Sequence, residues 1–103
     1  MKDYFYVNPS KMIELCKTLS GSEIKMVYAI MYCLAGTGER LFANSEKNRS
    51  TMAKIGFSKT PERISTLLSS LVKKGVINRE AYGLFSLPED LFINPNISSE
   101  INS

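Results

Sequence analysis

A helix with well-marked ends, expected between residues 58 and 75, constrains the fold of this chain more than any other sequence feature. Thr60 can cap its N-terminus, Pro61 suits the first helical position, and Gly75 suits the position after the last turn. Between these ends, apolar residues recur at i, i+3, i+4, i+7 and i+8, which is the spacing of one helix face. They are Ile64, Leu67, Leu68, Leu71 and Val72. This spacing predicts an amphipathic helix that packs its apolar stripe on a core.

The segments on either side give this helix a structural context. Asn44 and Ser45 open a predicted short helix that ends near Lys54, with Gly56 as its stop. The side chains expected to face inward from it are Met52, Ala53 and Ile55. After the amphipathic helix, residues 76–79 and 84–87 are expected to pair as a hairpin. Short helix, turn, amphipathic helix and hairpin, in that order, are typical of a helix-turn-helix followed by a β-wing.

The N-terminal half adds two further predicted helices. The first starts at Asn8 and Pro9, and a capping box of Ser20 and Glu23 starts the second, which is expected to run to about Ala35. Residues 4–7 are expected to form a short edge strand or a packed arm, and a short strand is expected at residues 40–43. The predicted fold class is therefore mainly α with a small β-hairpin, a winged helix-turn-helix of the α+β type. We expect one domain over residues 1–95 and a flexible tail over residues 96–103.

Positive charge is concentrated in one part of the chain. Between residues 40 and 80, nine Lys or Arg stand against three Glu, which gives a formal charge of +6, whereas the rest of the chain carries −3. Such a concentration is expected of a surface that contacts phosphates. Charge alone is equally compatible with an ordinary solvated surface.

The face opposite the apolar stripe is the candidate DNA-binding surface. At about 100° per residue, it holds small, polar and basic side chains that suit a major groove. The candidate residues on this helix are Lys59, Thr60, Arg63, Thr66, Ser70 and Lys73. Arg49 and Lys54 on the preceding helix and Arg79 at the mouth of the hairpin are candidate phosphate contacts. Tyr82 is expected to pack under the turn, with contact to the sugar-phosphate backbone as the alternative.

Two groups of residues resemble known families. Residues 55–58 (IGFS) and 68–77 (LSSLVKKGVI), with Ile64 between them, resemble the signature of MarR-type winged helix-turn-helix regulators and related replication proteins. The flanks at residues 19–25 (LSGSEIK) and 91–95 (LFINP) are similar to the plasmid replication-initiator winged-helix family of Firmicutes and its phage relatives. The resemblance implies that the helix from Thr60 enters the major groove of double-stranded DNA and that residues 79–83 form the wing. It implies a transcriptional regulator or a plasmid or phage replication protein.

Other function classes find little support in the composition. The chain has no His and no paired carboxylate motif, so we expect no enzyme, no metal site and no cofactor. Cys16 and Cys33 are expected to be small buried side chains. The longest apolar run, residues 26–34, is too short to span a membrane, and the N-terminus does not resemble a signal peptide, so a cytoplasmic protein is expected.

One alternative function stays open from the sequence. The wide apolar arc of the second helix and the aromatic segment at residues 4–6 could serve a protein partner or a homodimer instead of DNA.

Overall fold

The computed structural model describes residues 6–37, 39–88 and 92–93, and over these it shows a mainly helical chain with a small antiparallel sheet. The helices are α1 (Pro9–Cys16), α2 (Gly21–Thr37), α3 (Glu46–Lys54) and α4 (Pro61–Lys73). The strands are β1 (Tyr6–Val7), β2 (Phe42–Ala43), β3 (Asn78–Ala81), β4 (Leu84–Ser86) and β5 (Phe92–Ile93). This is an α+β arrangement, as the sequence predicts. The predicted tail at residues 96–103 lies outside the described residues.

Helix α2 contributes more buried side chains than any other described element. Its apolar residues are spread around most of the helix circumference, and most of this surface is buried. The helix packs against α3, α4 and β2. The buried apolar residues are Met26, Val27, Ala29, Ile30, Met31, Cys33, Leu34 and Ala35. The helix continues two residues past its predicted end at Ala35, and the Thr37 hydroxyl donates to the carbonyl of Cys33 at 3.2 Å.

Helix α4 has the predicted limits. Thr60 is its N-cap and Pro61 its first residue, and the stripe of Ile64, Leu67, Leu68 and Leu71 is buried against the core. Burial of each such side chain contributes about 1.5–3 kcal/mol. At its C-terminal end Gly75 has φ +76°, and the amide of Val76 donates to the carbonyl of Leu71 at 2.9 Å. This is a Schellman termination, which turns the chain sharply toward β3.

Three strands form one sheet in the order β2-β4-β3, and both strand pairs are antiparallel. The predicted hairpin of β3 and β4 is therefore extended by β2, with Phe42 opposite Phe85. A bulge interrupts the β3–β4 register between Arg79 and Ala81, and Gly83 makes the turn with φ +73°. Separately, β1 pairs with β5.

Four side chains are placed differently from their prediction. Cys16 is exposed, whereas Cys33 is buried as expected. Ala53 is exposed, because it is turned about 100° around α3 from the buried Met52. Ile55 is 46% exposed and lies beyond the helix, as its C-cap. Tyr82 does not pack under the hairpin turn: it is 98% exposed.

Candidate nucleic-acid interface

Most of the predicted outer face of α4 is exposed. Lys59 and Thr60 at its start, Arg63 and Thr66 in its first turns and Lys73 in its last turn are all exposed to solvent. The opposite stripe is buried, so the helix is amphipathic in the predicted orientation. The exposed side chains are therefore free to meet a partner that approaches α4 from outside.

Local hydrogen bonds order the N-terminal end of this face. The Thr60 hydroxyl accepts from the backbone amide of Arg63 at 3.1 Å, and the Thr66 hydroxyl donates to the carbonyl of Glu62 at 3.0 Å. The Lys59 ammonium lies 5.6 Å from the centroid of the Phe57 ring, within the range of a cation–π contact. Among the described residues, the Arg63 guanidinium has no hydrogen-bond or ion-pair partner, so it is available to a ligand.

Ser70 differs from the other candidates on α4. Its side chain is half-buried and its hydroxyl donates to the Glu23 carboxylate, in the first turn of α2. The hydroxyl is therefore used inside the protein, and its predicted place among the outward-facing groups is wrong.

Glu23 is a buried carboxylate that joins α2 to the end of α4. Its Oε1 accepts from the Lys74 ammonium at 2.8 Å and from the Ser20 backbone amide at 2.7 Å. The Lys74 hydrogen bond, followed by those of Ser20 and Ser70, lowers the pKa of Glu23 from 4.5 to about 2, although burial opposes the shift. The carboxylate is thus held in its charged form.

Arg49 also makes internal contacts. Its side chain is half-buried, and Nη1 donates to the Asn44 carbonyl at 2.9 Å and to Asn44 Oδ1 at 2.7 Å. Lys54, at the other end of α3, is exposed. Of the two basic residues predicted on this helix, only Lys54 has the solvent-facing position that was expected of both.

The hairpin presents one cation and one aromatic side chain. Arg79 is exposed, and its guanidinium lies 5.1 Å from the ring centroid of the buried Phe85 across the strand pair. Tyr82 projects at the turn. On the same hairpin, the Ser86 hydroxyl donates to the Glu80 carboxylate. The side chain exposed at the hairpin turn is therefore the aromatic Tyr82, whereas the basic Arg79 lies on the strand before it.

Sequence reasoning missed the residues that hold α4 in place. The sequence pattern indicates only a helix start at Asn44 and indicates no contact for Lys74 or Ser65. Glu23 was recognised through its capping box, which is formed, but its contacts with α4 join residues 47 and 51 positions apart. No local pattern carries that information.

Comparisons with protein-family models, with curated protein sequences and with solved structures found no match for this chain. The functional assignment therefore depends on the geometry and charge of α4 and its neighbours. Among the described residues, no group of three or more His, Cys, Asp or Glu could hold a metal ion. No helix within the same residues is long and apolar enough to cross a membrane.

Proposed function

We propose that this protein binds double-stranded DNA in a sequence-specific manner through a winged helix-turn-helix, as a transcriptional regulator or as a plasmid or phage replication protein. In this assignment α3 and α4 form the helix-turn-helix and the β3–β4 hairpin is the wing. The observation that supports the proposal is the outer face of α4, where basic and small polar side chains are exposed and the Arg63 guanidinium has no partner among the described residues.

The chemistry of this face suits a major groove. Arg63 lies in the first turn, where such helices come nearest to base edges, and its guanidinium matches the O6 and N7 acceptors of guanine. Short side chains such as Thr60 and Thr66 let the helix backbone approach closely. Lys59 and Lys73, at opposite ends of α4, are exposed cations that would neutralise phosphates. The single carboxylate of this helix, Glu62, favours the positive end of the helix dipole.

The neighbouring elements extend the same surface. Lys54 at the end of α3 and Arg79 on β3 add exposed cations, in a segment of the chain that carries a formal +6. The exposed Tyr82 ring at the hairpin turn offers an apolar surface to the sugar-phosphate backbone. A phosphate-contacting surface of this kind predicts binding that weakens as salt increases.

The proposal is tested by changing single exposed side chains of α4. In a selection from a random duplex library, the wild-type protein should enrich a defined site. Arg63→Ala should weaken binding to that site roughly 5- to 150-fold, about 1–3 kcal/mol, and relax preference at one base pair. Lys59→Ala should weaken binding to all duplexes alike.

Lys17→Ala is the matched control, because Lys17 is exposed at the end of α1, outside the +6 segment. Its affinity should equal that of the wild type. Equal affinities for Arg63→Ala and the control, in variants with wild-type circular dichroism, would reject α4 as the reading helix.

A second candidate function, a protein-interaction or dimerisation module, has one observation in its favour. Tyr28 and Tyr32 lie one helical turn apart on the outer face of α2 and are 50% and 40% exposed. An exposed aromatic pair of this kind is common at protein interfaces. Light scattering at high protein concentration tests self-association: a mass of two chains supports it, and a mass of one chain removes it for the free protein.

A further inference from the structure

The corner between β2 and α3 contains a polar network that reaches α4. Asn44 follows the last residue of β2 and precedes Ser45, the N-cap of α3. Its side-chain amide donates to the Pro61 carbonyl at 3.0 Å and to Ser65 Oγ at 2.9 Å. Both amide protons of Asn44 are therefore used on the first turns of α4.

Arg49 fixes the other end of the Asn44 side chain. Its Nη1 donates to both the carbonyl and Oδ1 of Asn44, at 2.9 Å and 2.7 Å. Because Oδ1 accepts from Arg49, the amide group cannot rotate to exchange its oxygen and nitrogen without losing hydrogen bonds at both ends. The order of contacts is therefore Arg49, then Asn44, then the first turns of α4.

We propose that Arg49 and Asn44 are positioning residues for α4, and that Arg49 acts through Asn44 instead of contacting a phosphate. The proposal rests on the proposed DNA-binding function, because the turn that Asn44 holds also contains Thr60 and Arg63. Small displacements of this turn would move the Arg63 guanidinium away from base edges. The expected loss is therefore in recognition and not in electrostatic attraction.

Direct phosphate contact by Arg49 makes opposite predictions. Loss of one phosphate contact changes the slope of log affinity against log salt by about 0.9, and it adds to the effect of a change elsewhere. Loss of a positioning bond leaves the slope unchanged. It also makes the Arg49 and Asn44 substitutions non-additive, since both break the same chain of contacts.

The test compares Arg49→Ala, Asn44→Ala and the double variant on the selected duplex across a range of salt. We expect each single variant to lose about tenfold in affinity, the double variant to lose no more than either, and the salt slope to stay at the wild-type value. Lys54→Ala is the matched control, because Lys54 is an exposed cation on the same helix. It should make the negative slope of log affinity against log salt shallower by about 0.9. The positioning role would be overturned if Arg49→Ala made the salt dependence shallower and the double variant lost the sum of the two single-variant binding free energies.

A second readout needs no DNA. Amide hydrogen exchange at Arg63, Ile64 and Ser65, taken relative to the last turn of α4 in the same variant, should rise several-fold in Arg49→Ala and in Asn44→Ala. It should not rise in Lys54→Ala. Ser65→Ala, which removes one acceptor of Asn44 and leaves the backbone contact, provides a milder variant with a smaller rise. Unchanged relative exchange in all of these would overturn the inference even if the protein binds DNA, and a rise would support the positioning of α4 even if no duplex binds.

Discussion

Glu23 is a single residue on which two helices depend. Its backbone amide and its carboxylate complete the capping box with Ser20, and the same carboxylate accepts from Ser70 and Lys74 on α4. A buried carboxylate is costly to desolvate, and here a cation and several donors offset that cost. The Lys74 side chain is 39% exposed, so water also solvates the pair from one side.

Stability should therefore depend on pH through Glu23. Its pKa in the folded chain, about 2, lies below the ordinary 4.5, so its contribution is complete above about pH 4.5 and is lost as the pH falls toward 2. Urea unfolding at a series of pH values measures this. Glu23→Gln should cost about 1–3 kcal/mol at pH 7 and flatten the acid side of the curve.

Glu14→Gln, an exposed change on α1, is the control for charge alone and should keep the acid-side slope of the wild type. If Glu23→Gln instead matched the wild type at pH 7 and also below pH 4, the Glu23 contacts would not stabilise the fold.

Among the secondary-structure features, the ends of the helices are the ones that the sequence predicts best. Thr60 and Pro61 start α4, and Gly75 ends it with φ +76°. These signals are local, since each depends on side chains and dihedral angles within a few residues, so they could be predicted. The short strand β2 lies within the strand predicted at residues 40–43, but its place beside β4 could not be predicted, because that pairing joins residues about 40 positions apart.

Gly75→Ala tests whether the termination of α4 requires a glycine. A Cβ at this position would meet nothing within 4 Å, so the expected cost of about 1–2 kcal/mol comes from the left-handed backbone conformation alone. Denaturant unfolding measures it.

Gly21→Ala is the matched control, because its Cβ also meets nothing within 4 Å and its φ is not positive. Gly21 is the first residue of α2, so alanine there should be neutral or slightly stabilising. Equal effects of the two substitutions would contradict the role assigned to Gly75.

Across the whole molecule, the helices could be predicted from the sequence more accurately than the side chains that remain without an internal contact. Thr66 and Arg63 face outward as their spacing predicts, but Ser70, on the same stripe, meets a carboxylate from α2. Arg49 is likewise held by Asn44. Periodicity defines a face of a single helix, whereas these contacts depend on how separate elements pack, and only the assembled fold specifies that.

The central claim concerns the whole basic surface, and its salt dependence is the most direct test. Of the predicted DNA-contacting residues, five exposed ones are cations: Lys54, Lys59, Arg63, Lys73 and Arg79. If four or all five of them neutralise phosphates, log affinity for a selected duplex should fall with log salt with a slope of about −3.6 to −4.5. Fluorescence anisotropy with the wild-type protein, titrated from about 50 to about 300 mM KCl, measures this slope. A slope in that range is the predicted result, and no binding at the lowest salt, or an affinity that does not change with salt, would contradict the account.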